Sequence, residues 1–527
     1  MKKYITPLNI VFALEILVVI LSIFGIAPRE AILVWTGLAV FYMIFSPVED
    51  ALWLVVASIP LYAALPISEN FDTLANWRIL ILVLFLCVFF KKGISIGLFK
   101  NAAGQWRIKE NIKHYVVEYL SVIFLLISAF SIFIAGHKIL AIKKLLFLVN
   151  IFLLFLVIRN LTRTKEAVLK IWQAAAIGGA AAIIIALVQF FSVWFAPLIN
   201  FWLWWDFYPI NFFYGQGLAN LLSYSNTWFA YYGAAPPTLR LFSVFPDSHS
   251  LAMFLILLIP IILAWVVFYE QQRNRKIFLW TLIGLALFCI VFSGSRGAWL
   301  SIAPIIVLAF YFSWRRAAPA LIKKIMLGIF IFLLFFISFN GYPPLFYKIQ
   351  SWQSGQKTDA DFSFFERARS ISDADELSNK GRLEIWQRSL KSIAAQPLLG
   401  VGLGNYVTVL DESAANAKKG ASAHNLYLDF AAEIGVVGML ILLAMFANIL
   451  YTSWLVWRRA TEPHFNAFGL FFGLYFLWVM TYSLFDVVLL NDKVFLLFMV
   501  GAATLFSLRA MLSFPPAGGN SFGSSNK

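Results

Sequence analysis

Four polar stretches interrupt an otherwise apolar sequence, and their residue types could do chemistry. The first holds Ser293, Ser295 and Arg296, the second Arg382, Glu384 and Trp386, the third Gly400, Gly402 and Gly404, and the fourth Ser422, His424 and Asn425. Arginine binds phosphate oxygens through paired N–H donors. A histidine can take the proton of a hydroxyl. Together they describe transfer from a phosphate-linked donor to an alcohol. No clustered His, Asp and Glu ligands point to a metal or other cofactor.

Each stretch also has a plainer reading. Arg296 could be a topological anchor, but the expected topology puts it outside, where the positive-inside bias runs against an anchoring role. Arg382 opens an amphipathic pattern, where its charge opposes the helix dipole. It is either an anion ligand or part of a solvated face closed by Glu384. The glycines resemble a phosphate loop, yet no βαβ unit surrounds them, so close approach of backbone to backbone is expected. His424 or Asn425 would stand at a helix N-terminus, either as a cap or as a base.

The elements that must position these residues are membrane spans. Of 527 residues, 61% are hydrophobic and 13% charged, and the mean hydropathy is +0.82. Apolar runs lie near 10–26, 31–46, 51–66, 77–90, 116–135, 144–158, 171–196, 247–269, 277–293, 297–312, 325–341, 430–457, 465–485 and 494–512. They predict an all-α polytopic membrane protein of about 12–14 transmembrane helices. Met1, Lys2 and Lys3 before the first run resemble a signal peptide, and this run is expected to be a retained span. Cys87 and Cys289 lie within apolar runs and read as small buried hydrophobes. The net charge of +15 is read as cytoplasmic loops rather than nucleic-acid binding.

Loop charge supplies the orientation. With the basic stretch from Lys91 to Lys113 inside, alternation puts Arg159 to Lys170, Arg273 to Lys276, Arg315 to Lys324 and Arg458 with Arg459 inside too. The loop carrying Lys138, Lys143 and Lys144 conflicts, being basic and assigned outside. The expected organisation is N-terminal spans over 1–196, an aromatic-rich external segment over 197–246, and spans carrying the Arg296 motif over 247–341. A large external loop over 342–424, spans over 425–512 and a disordered tail over 513–527 complete it. The loop begins with a mixed-charge run through Asp359, Asp361, Glu366, Arg367 and Arg369, expected to be mobile. Leu383, Trp386, Leu390 and Ile393 then predict an amphipathic helix that Pro397 ends.

The run SGSRGAW at 293–299, the string GRLEIWQRSLKSIAAQPLLGVGLGNY at 381–406 and HNLYLDFAAEIGVVG at 424–438 resemble, in order and spacing, the O-antigen ligase and polymerase family. The informative likeness runs from 240 to 438. The resemblance implies a bacterial inner-membrane glycosyltransferase, without cofactor, that moves a glycan from undecaprenyl pyrophosphate to a lipid, glycan or protein acceptor at the periplasmic face. It makes His424 the base and places Arg296 and Arg382 on the donor pyrophosphate. Arg240 would be a third such arginine, although Asp247 and His249 stand where the family usually continues Pro-Asn. The acceptor leaves O-antigen ligase, polymerase and protein O-oligosaccharyltransferase open. From other classes, a polysaccharide or lipid transporter would show repeated halves and mid-membrane charge, of which Glu15 is the clearest example. A non-catalytic scaffold would tolerate loss of His424.

Overall fold

A computed structural model of the chain describes residues 6–67, 74–94, 115–222, 227–232, 235–315, 319–355, 377–410 and 422–513. Among them the fold is helical apart from one hairpin, Phe229–Tyr232 with Ala235–Leu239, and an isolated bridge between Ala64 and Ala75. Among the described residues, seven helices are long and apolar enough to cross a membrane. They are Lys138–Leu161, Lys165–Phe195, Ser248–Phe268, Arg273–Phe292, Leu426–Arg459, Pro463–Tyr482 and Asp492–Leu512. The protein is an all-α, multi-pass membrane protein.

Of the remaining expected runs, the one at 325–341 lies in the 23-residue helix Pro319–Gly341, and the others are helical but shorter. Pro7–Ile23, Ala31–Phe45 and Val116–Ser131 have 17, 15 and 16 residues. The run expected at 51–66 is only a ten-residue helix, Val48–Ala57, followed by the single turn Ile59–Leu61 and extended chain. Ten residues rise about 15 Å, roughly half a hydrocarbon core. Residues 51–57 of this short helix are all buried, so neighbouring helices complete its passage. Likewise 297–312 is divided between Arg296–Leu300 and Ala303–Arg315. The mixed-charge run with Asp359 and Glu366, the tail over 514–527, and Lys100, Arg107 and Lys109 fall outside the described residues.

Ser248–Phe268 is the central helix. Asp247 starts it by accepting the Ser250 N–H at 2.8 Å, and its apolar residues then face protein on nearly every side. It packs against Lys165–Phe195, Arg273–Phe292, Pro463–Tyr482 and Asp492–Ser513. The outer helices turn large apolar side chains outward, with Phe45, Phe130 and Phe195 at 73%, 60% and 84% exposure. In water such a surface would aggregate; in a bilayer it is the solvated surface.

Ion pairs gather one end of the bundle. Lys92 pairs with Glu49, Lys170 with Asp50 and Lys165 with Glu462, while Lys91 donates to the Ser46 carbonyl at 2.8 Å. These contacts bring together helix ends that loop charge assigns to one side. At the other end, the His137 N–H donates to Asn405 at 2.6 Å and the Arg29 guanidinium to the Ala64 carbonyl at 3.1 Å. The four polar stretches belong to this second end.

Candidate active site

Arg240 leaves the hairpin in a position set by its backbone. Its N–H donates to the Trp228 carbonyl at 2.9 Å, and the Leu241 N–H to the Phe292 carbonyl at 3.0 Å. Two residues on, Gln189 accepts the Ser243 N–H at 2.6 Å, holding Ser243 at a φ of +52°. The Arg240 side chain is 94% buried, and its Nε donates to the Ser293 carbonyl at 2.7 Å. Gly294 makes the approach possible: a Cβ there would lie 3.1 Å from Arg240 Nε and 3.1 Å from the Phe339 ring.

His249 links Arg240 to a polar cluster. Its Nε2 lies 3.4 Å from the Arg240 guanidinium, and its Nδ1 lies 3.0 Å from both Ser295 Oγ and Tyr482 OH. Those two hydroxyls are 2.5 Å apart. An arginine can only donate, so Nε2 accepts and Nδ1 carries the proton. Asp486 Oδ2 stands 3.5 Å from His249 Nδ1, and Asp486 Oδ1 stands 3.9 Å from His424 Nδ1. One carboxylate therefore lies between two imidazoles. Arg240, Arg382 and His424 are all near enough to His249 for their charges to act on it.

The electrostatics of the two aspartates diverge. Burial alone would raise the Asp486 carboxyl, but the His424 imidazole, the neighbouring His249 and the Arg382 charge outweigh it and hold the group well below the usual carboxylate range. Asp247 is pushed up to about 6 by burial, opposed by the Ser250 N–H and hydroxyl and reinforced by the Asp486 charge.

His424 adopts a left-handed backbone, φ +46°, which a residue with a Cβ enters only when its surroundings over-determine it. Asn425, not His424, caps the following helix, its Oδ1 accepting the Tyr427 and Leu428 N–H groups at 3.0 and 3.1 Å. The Leu426 N–H donates to the Ser483 carbonyl at 2.8 Å, tying this corner to the connection that carries Asp486. His424 is thus released from capping, and its side chain remains 37% exposed.

Arg382 lies on Leu377–Ala395, half-buried. The expected apolar stripe is rotated here: Leu383 and Leu390 are 51% and 57% exposed, while Ile385 and Ser389 face inward. Two polar ties set that rotation. Ser389 Oγ meets Tyr406 OH at 2.6 Å, and the Trp386 indole donates to the Ala423 carbonyl at 3.0 Å. Glu384 reaches Arg388 at 3.5 Å, the ordinary i,i+4 pair. Arg296 borders the cluster by its backbone, because Ser295 joins the cluster and a Cβ on Gly297 would lie 2.9 Å from the Tyr482 ring. Its half-buried side chain starts from that border.

The glycine stretch closes backbone on backbone. Leu426–Arg459 is broken at Ile434 and Gly435, and the segment after Pro397 fills the break. Val401 and Gly402 N–H groups donate to the Ala432 and Glu433 carbonyls at 2.8 and 2.9 Å, and the Val436 N–H donates to the Pro397 carbonyl at 2.8 Å. A Cβ on Gly400 or Gly435 would come within 2.2 or 2.1 Å of backbone oxygens, and both have positive φ.

These features define a polytopic membrane protein with arginines, two histidines and an aspartate gathered at one end of its bundle. Residues 281–443 match the O-antigen ligase family, a window holding Arg296, Arg382 and His424. A general O-oligosaccharyltransferase of Acinetobacter baylyi is 28% identical to the chain over 233 residues, which cover 42% of this chain and 37% of that protein. The chain thus matches little more than a third of that relative's length. Asp486 and Tyr482 lie beyond the family window, and sequence reasoning missed both. Asp486 had one available signal: its short connection falls on the same side as His424 in the loop-charge scheme.

Proposed function

We propose that the protein is a bacterial inner-membrane glycosyltransferase that moves a glycan from undecaprenyl pyrophosphate to an acceptor hydroxyl at the periplasmic face. The observation that carries this reading is Asp486 lying between His249 and His424, with Arg240 and Arg382 around them. The family match and the loop-charge orientation support it.

The acceptor oxygen attacks the anomeric carbon and forms the new glycosidic bond, while the bond from that carbon to the pyrophosphate oxygen breaks. His424 takes the acceptor proton, and Asp486 stabilises the imidazolium that results. Arg240, Arg382 and Arg296 neutralise the charge gathering on the departing lipid pyrophosphate. Inversion at the anomeric carbon follows from single displacement. In membranes bearing His424→Ala, glycan transfer falls by roughly 10²- to 10⁴-fold at normal protein levels. Arg240→Ala, Arg296→Ala and Arg382→Ala also fall. Full activity in all four sinks the proposal.

A protein hydroxyl as acceptor is favoured by one observation, the likeness to the Acinetobacter baylyi O-oligosaccharyltransferase. The glycans of a deletion strain separate the cases: unglycosylated protein, lost surface attachment, or loss of long chains alone.

A further inference from the structure

Lys144 breaks the charge pattern of the loops, standing on the end of the bundle where basic residues are disfavoured. Its partners explain the position. Lys144 Nζ lies 2.6 Å from Glu433 Oε2 and 3.6 Å from Asp429 Oδ2, and 5.6 Å from the centre of the Phe430 ring. Glu433 and Asp429 are 98% and 97% buried on the half-helix that begins just after His424. The other Asp429 oxygen, Oδ1, accepts the Ala423 N–H at 3.1 Å. The Ala423 carbonyl accepts the Trp386 indole at 3.0 Å.

We infer that Lys144 and Asp429 are positioning residues for His424, with Trp386 as their counterpart from the loop helix. The inference rests on the proposed role of His424 as base. Ala423 is fully buried, and both of its backbone polar groups are held by side chains. Lys144 aims the Asp429 carboxylate, Asp429 fixes the Ala423 N–H, and Trp386 fixes the carbonyl that leads into His424. The next residue has the strained φ of +46°. Without these ties the backbone relaxes toward negative φ, and the imidazole swings away from the acceptor and from Asp486. Of the arginines that hold the donor, Arg240 rests on Ser293 and Trp228 and Arg296 begins the short helix Arg296–Leu300, whereas Arg382 shares Leu377–Ala395 with Trp386. Loss of the Lys144 and Asp429 ties, which touch none of these arginines, therefore acts on the chemical step rather than on donor binding.

The test is release of undecaprenyl pyrophosphate from an undecaprenyl-pyrophosphate-linked oligosaccharide, in membranes of the native strain that supply the acceptor. Asp429→Leu and Lys144→Met are expected to lower kcat by about 10- to 100-fold, with the apparent KM for donor within about twofold of the parent. Asp429→Asn keeps an acceptor for the Ala423 N–H, and Lys144→Arg keeps the cation, so each recovers most of the lost kcat. Parental kcat in Asp429→Leu and Lys144→Met overturns the inference. So does a loss confined to KM, or failure of both conservative variants to outperform their partners. If Asp429→Leu and Lys144→Met do not accumulate, Trp386→Phe, which removes the indole N–H, carries the test: a loss in kcat alone supports the inference and parental kcat overturns it. His424→Ala is run alongside. Full activity there defeats the base assignment itself, whereas an inactive His424→Ala beside a parental Asp429→Leu defeats only the positioning role.

Discussion

At the scale of single residues, Asp247 and Asp486 are two carboxylates in one cluster with opposite tendencies. Asp486 stays ionised because His424, His249 and Arg382 surround it, despite its burial. Asp247, pushed up to about 6 by burial, becomes neutral as pH falls through that value. Protonation removes a negative charge near Arg240, which in the proposed mechanism faces the donor pyrophosphate. The apparent KM for donor therefore falls between pH 7 and pH 5. Asp247→Asn is expected to keep the low KM across that range; an unchanged pH dependence in this variant refutes the assignment. The sequence revealed the residue types that could serve transfer, and the structure brings Arg240, Arg382 and His424 around His249. What hid Asp486 and Tyr482 was distance along the chain. Nothing local marks a carboxylate in a short connection as the neighbour of a histidine sixty-two positions earlier.

At the scale of elements, the break in Leu426–Arg459 decides how the loop meets the bundle. Gly435 sits at φ +75°, and an added Cβ would be 2.1 Å from the Leu398 carbonyl oxygen. Gly435→Ala must push the inserted segment out of the break or straighten the helix, and either change separates Trp386 from Ala423. The expected result is a lower melting temperature together with lost transfer. Gly37→Ala is the control: nothing lies within 4 Å of its added Cβ, and it gains up to about 1 kcal/mol of helix propensity. Equal melting of the two variants counts against the inserted segment as a structural tie. Close backbone approach was legible in Gly400, Gly402 and Gly404, because only glycine permits it at such spacing. The rotation of Leu377–Ala395 was not, because Ser389 and Trp386 set it through hydrogen bonds that an apolar count ignores.

At the scale of the whole molecule, the spans were legible because their length and hydropathy follow from bilayer thickness alone. The half-length passage at Val48–Ala57 was not, since its burial depends on neighbours distant in sequence. Orientation is directly measurable. Cys87 and Cys289 are buried, so a single introduced cysteine reports alone. A membrane-impermeant maleimide added to cells with a permeabilised outer membrane is expected to label Lys391→Cys, at the site end, and to leave Lys165→Cys, beside Glu462, unlabelled. The reverse pattern inverts the protein and removes the periplasmic assignment.

The inserted segment also imposes an order in time. Pro397, Val401 and Gly402 are synthesised before Ala432, Glu433 and Val436, so the segment is made before the backbone partners it needs. Those partners arrive only when the broken helix enters, and Asp486 arrives later still. A nascent chain halted before residue 432 carries every arginine of the site, and His424 as well, but has no completed active corner. The site is assembled from its back end, which keeps His424, the proposed base, away from Asp486 until the last spans are in place.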